Sequence, residues 1–392
     1  MNYSGDLVSL CELGEIVSGS TPDTQTKEYW EGGTIPWITP ADLTEHEGIY
    51  FSKDLRKITS EGYKSCSTKM LPSGSILYSS RAPMGPCAVT TVPLCTNQGF
   101  KSLIPNQRLN SVYGYFALKH LTPNIVAKGR GATFLEISKE IFESIQIPLP
   151  PLPEQQRIAA ILQKADRLRR LRRYARRLSD TYMQSVFLEV FGELKSSPNK
   201  LKILELSEVC KRITDGTHQP PKWSDKGVPF LFVSNVVDGE LDFRTKKFIS
   251  IETWNELNNR CPVEINDILY TIVGSYGVAA IVKTSQKFSF QRHIAHIKPD
   301  PRKIDPEFLL TMMNSPFVKS QADLLVNGVA QKTLNLKELQ TIEIIIPEKE
   351  IQGRFVSILH RYEALRKQQK ESERQAEYLF QSLLQRAFQG EL

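Results

Sequence analysis

No stretch of about 18 consecutive apolar residues occurs in the 392-residue chain, so it offers no membrane span. The opening residues MNYSGDLVSLCELGEI carry Asp6 and Glu12 and lack the basic-then-apolar layout of a signal peptide. A cytoplasmic protein is expected. The six cysteines, Cys11, Cys66, Cys87, Cys95, Cys210 and Cys261, include no Cys-x-x-Cys pair. That argues against a zinc knuckle or a disulfide framework and for reduced, half-buried thiols. There is no Gly-x-x-x-x-Gly-Lys-Ser/Thr phosphate loop and no Asn/Asp-Pro-Pro-Tyr motif, so neither ATP-driven work nor adenine methylation by this chain is expected. The only Asp/Glu-x-Lys triplet is Glu193-Leu194-Lys195, far from Pro22-Asp23, which leaves no nuclease pattern. His293 and His296 sit three apart in QRHIAHIKP, where a strand would point them to opposite faces. No metal site and no cofactor are expected.

What the chain does have is repetition. Positions 147–162 read IPLPPLPEQQRIAAIL, and positions 344–359 read IIIPEKEIQGRFVSIL. An offset of 197 places Pro150 on Pro347, Arg157 on Arg354, Ile161 on Ile358 and Gly131 on Gly328. It also places Ile16-x-x-Gly19 on Ile213-x-x-Gly216. With small gaps, IPWI at 35 meets VPFL at 228, and GSILYSSRAPMG at 74 meets NDILYTIVGSYG at 266. Such a period is far too long for a solenoid unit, so the chain is a duplicated domain plus helix.

Each copy alternates short apolar runs with Gly, Pro, Asn and Ser, the pattern of strands. IPWIT, SILYSS, CAVTT and FKSLI answer to PFLFVS, DILYTI, VAAIV and IAHIK. A helical stretch follows (SVYGYFALKHL, DPEFLLTMMNS), and SIQIPLP or TIEIIIP closes the domain. Positions 154–191 then contain neither Gly nor Pro, enough for a helix of about 57 Å. Its apolar stripe runs through Ile158, Ile161, Leu162, Ala165, Leu168, Leu171, Ala175, Leu178 and Tyr182. It predicts an interface through Ile161, Leu168, Leu171 and Leu178, answered by Ile358, Leu365, Leu379 and Leu383 in the C-terminal copy, whose stripe also holds Phe355 and Tyr362. Gly192 and Gly390 are the expected stops. An exposed stripe of that length needs a partner, and antiparallel pairing joins the copies without a long return. The expectation is an α/β (α+β) fold with two repeated globular domains, 1–152 and 195–348. The helices 153–194 and 349–392 would form a long antiparallel pair between them, with pseudo-twofold symmetry.

Together these phrases resemble the specificity (S) subunits of type I restriction-modification systems, over essentially the whole chain. LPPLPEQQRIAAIL carries the likeness most strongly, and the second copy departs from it with Lys349 for Leu152 and Gly353 for Gln156. LGEIVSGSTPDTQTKEYWEGGTIPWITPADL, ITDGTHQPPKWSDKGVPFLFVSNV and DPEFLLTMMNSPFVKSQ also fit the family. The resemblance implies a non-catalytic subunit whose two target-recognition domains read a split sequence in double-stranded DNA. It implies as partners two adenine methyltransferase subunits and, in the full complex, two restriction subunits.

Net charge, +7 from 50 basic and 43 acidic residues, permits a nucleic-acid partner. The candidate DNA-binding residues stand in polar loops. In the first domain they are Lys27, Trp30, Ser80, Arg81, Asn97, Gln98, Lys128 and Arg130. In the second they are His218, Lys222, Trp223, Lys246, Ser275, Tyr276, Gln291, Arg292 and Asn327. Arg, Asn and Gln bond base edges in pairs, while Lys and glycine-loop amides suit phosphates. The basic run KADRLRRLRRYARR, 164–177, reads either as phosphate contacts over unread DNA or as a solvated face paired with Glu363, Glu371 and Glu373. A protein-interaction adaptor with duplicated domains is the alternative to a DNA reader. A steep log-salt slope in duplex binding would separate the two.

Overall fold

The computed structural model describes the chain except for residues 1–5, 45, 52–55, 82, 130–135, 196–201, 238 and 329–331. The side chains of 183, 184 and 187–195 are also left undescribed. The chain divides into two compact units, Met1–Arg177 with Gln368–Leu392, and Leu178–Lys367.

In the first unit the main sheet runs Gly14–Ser18, Lys101–Pro105, Ile76–Tyr78, Cys87–Thr90, Tyr50–Phe51. All neighbours are antiparallel except the last pair. A smaller sheet places Ile35–Ile38 between Lys57–Ile58 and Cys95–Thr96. In the second unit Cys210–Asp215, Ile294–Pro299, Ile268–Thr271 and Ala279–Ile281 follow the same order as the first four strands. Its smaller sheet centres on Phe248–Ile249 and Val228–Leu231. Every strand expected from the alternating runs is present, and so is the order, which the sequence alone leaves open.

In each unit a short strand pair ties the domain's start to its end: Leu7–Ser9 with Gln146–Pro148, and Lys202–Glu205 with Glu343–Ile346. The long helices Leu152–Lys195 and Lys349–Gln389 begin directly after these closing strands. Buried Gln155 and Gln352, which the 197 offset superimposes, explain the repeated proline-to-helix phrase. The Gln155 carboxamide accepts from the Asn110 amide (2.9 Å) and donates to the carbonyls of Arg108 and Pro150 (2.9 Å each). Gln352 accepts from the Asp305 amide (2.8 Å) and donates to the Pro347 carbonyl (2.8 Å). Asn110 and Asp305 are themselves the N-caps of the next helices, Ser111–Ala127 and Pro306–Met313. One glutamine thus locks two helix starts and a proline turn together. Truncating it strands buried backbone groups at roughly 1–3 kcal/mol each. Gln155→Ala is expected to lower the melting temperature of the first unit by at least about 5 °C, and Gln352→Ala that of the second. Calorimetry that resolves the two transitions checks this.

Of the predicted stripe Ile158, Leu162, Ala165 and Phe355 are buried, while the end of the C-terminal helix turns one residue further and buries Phe380 and Leu384 in place of Leu379 and Leu383. Ile158, Ala159, Leu162 and Ala165 enter the first core beside Tyr113 and Phe116. The C-terminal helix sends Phe380, Leu384, Ala387 and Phe388 into the same core. In the second unit Phe355 meets Phe308 edge to face, 5.8 Å between ring centres. Of the predicted seam, Leu168, Leu171, Leu178, Leu365 and Leu379 are exposed, and Ile161, Ile358 and Leu383 half-buried. The two domain cores, with their large aromatic rings, set the helix phase. The helices run antiparallel within the first unit and meet through charge. Arg169 contacts Glu377 (3.1 Å) and lies 3.8 Å above the Phe380 ring, while Arg176 contacts Glu373 (2.7 Å). Within the second unit Tyr362 donates to Asp180 (2.7 Å), with Arg366 at 3.2 Å. Gly390, at φ +77°, closes the C-terminal helix as expected, whereas the central helix continues through Gly192 to Lys195.

Candidate nucleic-acid interface

The predicted loops converge because the strands Gly14–Ser18 and Cys210–Asp215 are each followed by a glycine that crosses a neighbouring chain segment at close range. A Cβ on Gly19 would stand 2.0 Å from the Thr96 carbonyl oxygen, and one on Gly216 2.3 Å from that of Phe290. Just past each glycine the backbone is fixed, Ser20 N donating to Thr96 O (3.0 Å) and Thr217 N to Phe290 O (3.1 Å). The partner loops are fixed alike, Asn97 N to Ile38 O (3.0 Å) and Gln291 N to Leu231 O (3.2 Å). A third loop joins from the next strand: Ser80 N donates to Gly99 O (2.8 Å), Ile272 N to His293 O (3.0 Å). The fourth arrives through Ile137 N to Ser80 O (3.1 Å) and Leu334 N to Ile272 O (2.8 Å). Each copy thus builds its edge with the same four hydrogen bonds and different side chains.

On the first edge Gln98 accepts from the Thr21 hydroxyl (2.7 Å), and Arg81 pairs with Glu136 (3.0 Å), which also holds Lys101 (3.6 Å). Asn97 uses its side-chain oxygen to accept from the Gly99 amide (2.9 Å). On the second, His218 contacts Asp215 (2.9 Å), and the Arg292 amide donates to Thr217 O (3.0 Å), leaving its side chain exposed. Asn327 is exposed and bridged to Thr333, which is also bridged to Val273. Ser275 is exposed nearby in sequence, and Tyr276 donates to Asp323 (2.6 Å) beneath Lys319, 3.5 Å from the ring centre.

A second cluster in each copy surrounds a tryptophan five residues before the strand of the smaller sheet. Arg56 lies 3.6 Å above Trp30, and Lys247 lies 5.1 Å from Trp223. Trp37 ties the first cluster to the edge by donating to Ser20 O (3.0 Å). Lys27, Lys222 and Lys246 are exposed around these clusters. Arg56 was missed by the sequence reading; it directly precedes a strand, a position that marks it only once the repeat is aligned.

Two candidates are corrected. Ser80 is fully buried, its hydroxyl donating to Gly99 O (3.0 Å), so it builds the edge without being offered by it. Trp30 donates its indole N–H to Asp23 O (2.9 Å) and packs edge-on against Trp37, a small core rather than a free ring. Lys128 is exposed in a groove with Leu7, Asn124 and Gln146 that none of the crossing loops lines. Arg130 lies outside the described residues.

The basic run is largely matched by carboxylates. Arg169 and Arg170 share buried Asp166 (2.7 and 2.8 Å), Arg173 lies 3.6 Å from Glu373, and Arg177 reaches Glu47 (2.8 Å). Glu371 instead pairs with Arg374 on its own helix. Lys164, Arg167 and Arg172 are exposed. Among the described residues no group of three or more His, Cys, Asp and Glu is placed to hold a metal ion, and no helix is long and apolar enough to cross a membrane.

Residues 6–176 and 198–375 each match the type I restriction modification DNA specificity domain. The chain belongs to this family. It is a type I specificity subunit with the domain in two copies. It is 29% identical over 374 residues to the MjaIX specificity subunit of Methanocaldococcus jannaschii, covering 90% of this chain and 85% of that one. It is 35% identical over 166 residues to the Escherichia coli EcoR124I/EcoR124II specificity subunit, 41% of this chain and 40% of the relative. Among solved structures, a chain from work on complex assembly and conformational transition of the type I R-M system superimposes with TM-score 0.61 at 20% identity, covering all of both chains. The S subunit from M. genitalium gives 0.53 at 15% identity, covering 99% of this specificity subunit and 97% of the other. These likenesses show the fold.

Proposed function

We propose that the two domains, 1–152 and 195–348, each read one half of an asymmetric bipartite DNA site, and that the helices between and after them set the unread gap. The observation that carries this is the pair of edges built by equivalent hydrogen bonds but furnished with different side chains. A common scaffold with unlike furnishings suits two unlike half-sites. Arg81, Gln98, His218, Gln291, Arg292 and Asn327 are the residues proposed to meet base edges. Lys27, Lys222, Lys246 and Lys247 supply phosphate contacts. The exposed Lys164, Arg167 and Arg172 are proposed to add phosphate contacts over the gap. The subunit works without catalysis of its own or a cofactor, in the cytoplasm. It positions two adenine methyltransferase subunits and, in the full complex, two restriction subunits. Exchanging residues 1–152 for the first domain of a relative should change one half-site of the methylated motif and leave the other intact. Methylome sequencing of cells carrying the chimera and its methyltransferase reads this directly. Simultaneous change of both halves would refute independent reading, and DNA binding without a steep salt slope would return the adaptor reading.

A further inference from the structure

The second domain carries a cluster that its repeat lacks. Cys261, at the C-terminal end of the helix Ile251–Arg260, places Sγ 3.0 Å from Nδ1 of His296. His296 is buried in the strand Ile294–Pro299, and its Nε2 lies 2.6 Å from Oδ2 of Asp267. Asp267 also accepts from Lys298 Nζ (2.9 Å to Oδ2), while the Glu264 amide donates to the same oxygen (2.8 Å). These contacts hold the carboxyl below its usual range despite its burial. Strand register identifies the equivalents in the first domain. Ile268 opposes Ile297 as Ile76 opposes Leu103, so Asp267 answers to Ser75 and His296 to Ser102. The shared scaffold therefore folds with serines where the acid and the imidazole stand. A thiol, a base and an orienting carboxylate in line are the arrangement that activates a nucleophile.

The sulfur is reachable. Cys261 is half-buried and lines a cleft with Asp215, Thr217 and Arg260. The cleft holds about 20 Å³, room for about one molecule the size of water. Arg212 and Lys298 face the thiol and favour its anion, while Asp215 and Asp267 oppose it. Burial outweighs these and pushes the thiol up to about 11, so the resting sulfur keeps its proton, and reaction requires His296 to take it.

We propose that Cys261 is an oxidation site, a thiol that His296 and Asp267 activate toward hydrogen peroxide to give a sulfenic acid. His296 Nδ1 accepts the thiol proton as Sγ attacks one peroxide oxygen. The S–O bond forms and the O–O bond breaks, and the departing hydroxide takes the proton from the imidazolium and leaves as water. Sulfur is oxidised by two electrons and the peroxide is reduced. Asp267 accepts from Nε2–H and holds the imidazole with Nδ1 free for the thiol.

The test treats the full chain with hydrogen peroxide, traps sulfenic acid with dimedone and maps the labelled cysteines. Exposed Cys11 is the internal standard, and Cys210, packed against the second domain's core, reports loss of that domain's fold. Cys261 should label at least tenfold faster than Cys11. His296→Ser, which installs the first domain's residue, should slow Cys261 tenfold or more with Cys11 unchanged. If that variant exposes Cys210, Asp267→Asn serves instead, with the same slowing expected. Labelling of Cys261 no faster than Cys11, or at the unaltered rate in a folded variant, would overturn the proposal.

Discussion

Gly216→Ala should remove recognition by the second domain while leaving the first half-site readable, and Gly19→Ala should do the reverse. The added Cβ of Gly216→Ala would meet the carbonyl oxygens of Phe290 and Gln291 at 2.3 and 2.5 Å. Both are strand or loop backbone, which cannot swing aside as a flexible side chain does. The segment must retreat, and with it go the bonds from Thr217 N to Phe290 O and from Arg292 N to Thr217 O. His218, Gln291 and Arg292 then lose their common footing. A shift of about 1 Å is enough to break the bidentate geometry that base contacts need, so affinity for the full site should fall at least about 100-fold, or about 3 kcal/mol. Titrations against duplexes altered in one half only would check this. The Gly216 variant should become indifferent to changes in the second half-site and stay sensitive to the first. Gly353→Ala gives the opposite sign as a control, because no atom lies within 4 Å of its Cβ in the C-terminal helix. That substitution should stabilise the second unit by about 0.8–1 kcal/mol.

Those two glycines were visible in the sequence as a matched pair, although their reason was not. Repetition made the strands, the closing turns and the helix starts legible, because each is a local pattern written twice. The helix phase was legible at the start of each helix, where Ile158, Leu162, Ala165 and Phe355 are buried as the stripe placed them, and not further along. Leucine, tyrosine and arginine are spread around the whole circumference between Arg167 and Tyr182, so periodicity could not choose among faces. Beyond those starts the first core chose, through Phe380 and Phe388 on the C-terminal helix. The loop candidates failed where polarity was spent locally, as with the Ser80 hydroxyl and the Trp30 indole. Gln155 and Gln352 were overlooked for the opposite reason. A glutamine in a polar helix start looks solvated, and only its three-dimensional neighbours make it a lock. Cys261, Asp267 and His296 come from a helix end, a turn and a strand up to 35 residues apart. No linear spacing announces them.

Lengthening the central helix tests how the two readings are joined. Duplicating Ala175-Arg176-Arg177-Leu178 adds four residues, about 6 Å of helix and roughly 400° of winding, so the face returns to within about 40°. The duplication leaves Arg169 opposite Glu377 and still offers an arginine to Glu373, two of the ion pairs that join the helices in the first unit. The C-terminal helix gains nothing, so its pairing must slip by about one turn, as coiled coils do around a four-residue stutter. Neither domain's crossing glycine, loop or core is touched. The connection between the two readers lengthens, and at about 3.4 Å per base pair the unread gap should grow by one or two base pairs with both half-sites unchanged. The methylated motif of cells carrying the insertion is the measurement. Full activity on the original spacing would mean that the helices do not set the gap. Loss of all methylation by a variant that still binds each half-site separately would place the fault in the docking of the methyltransferase instead.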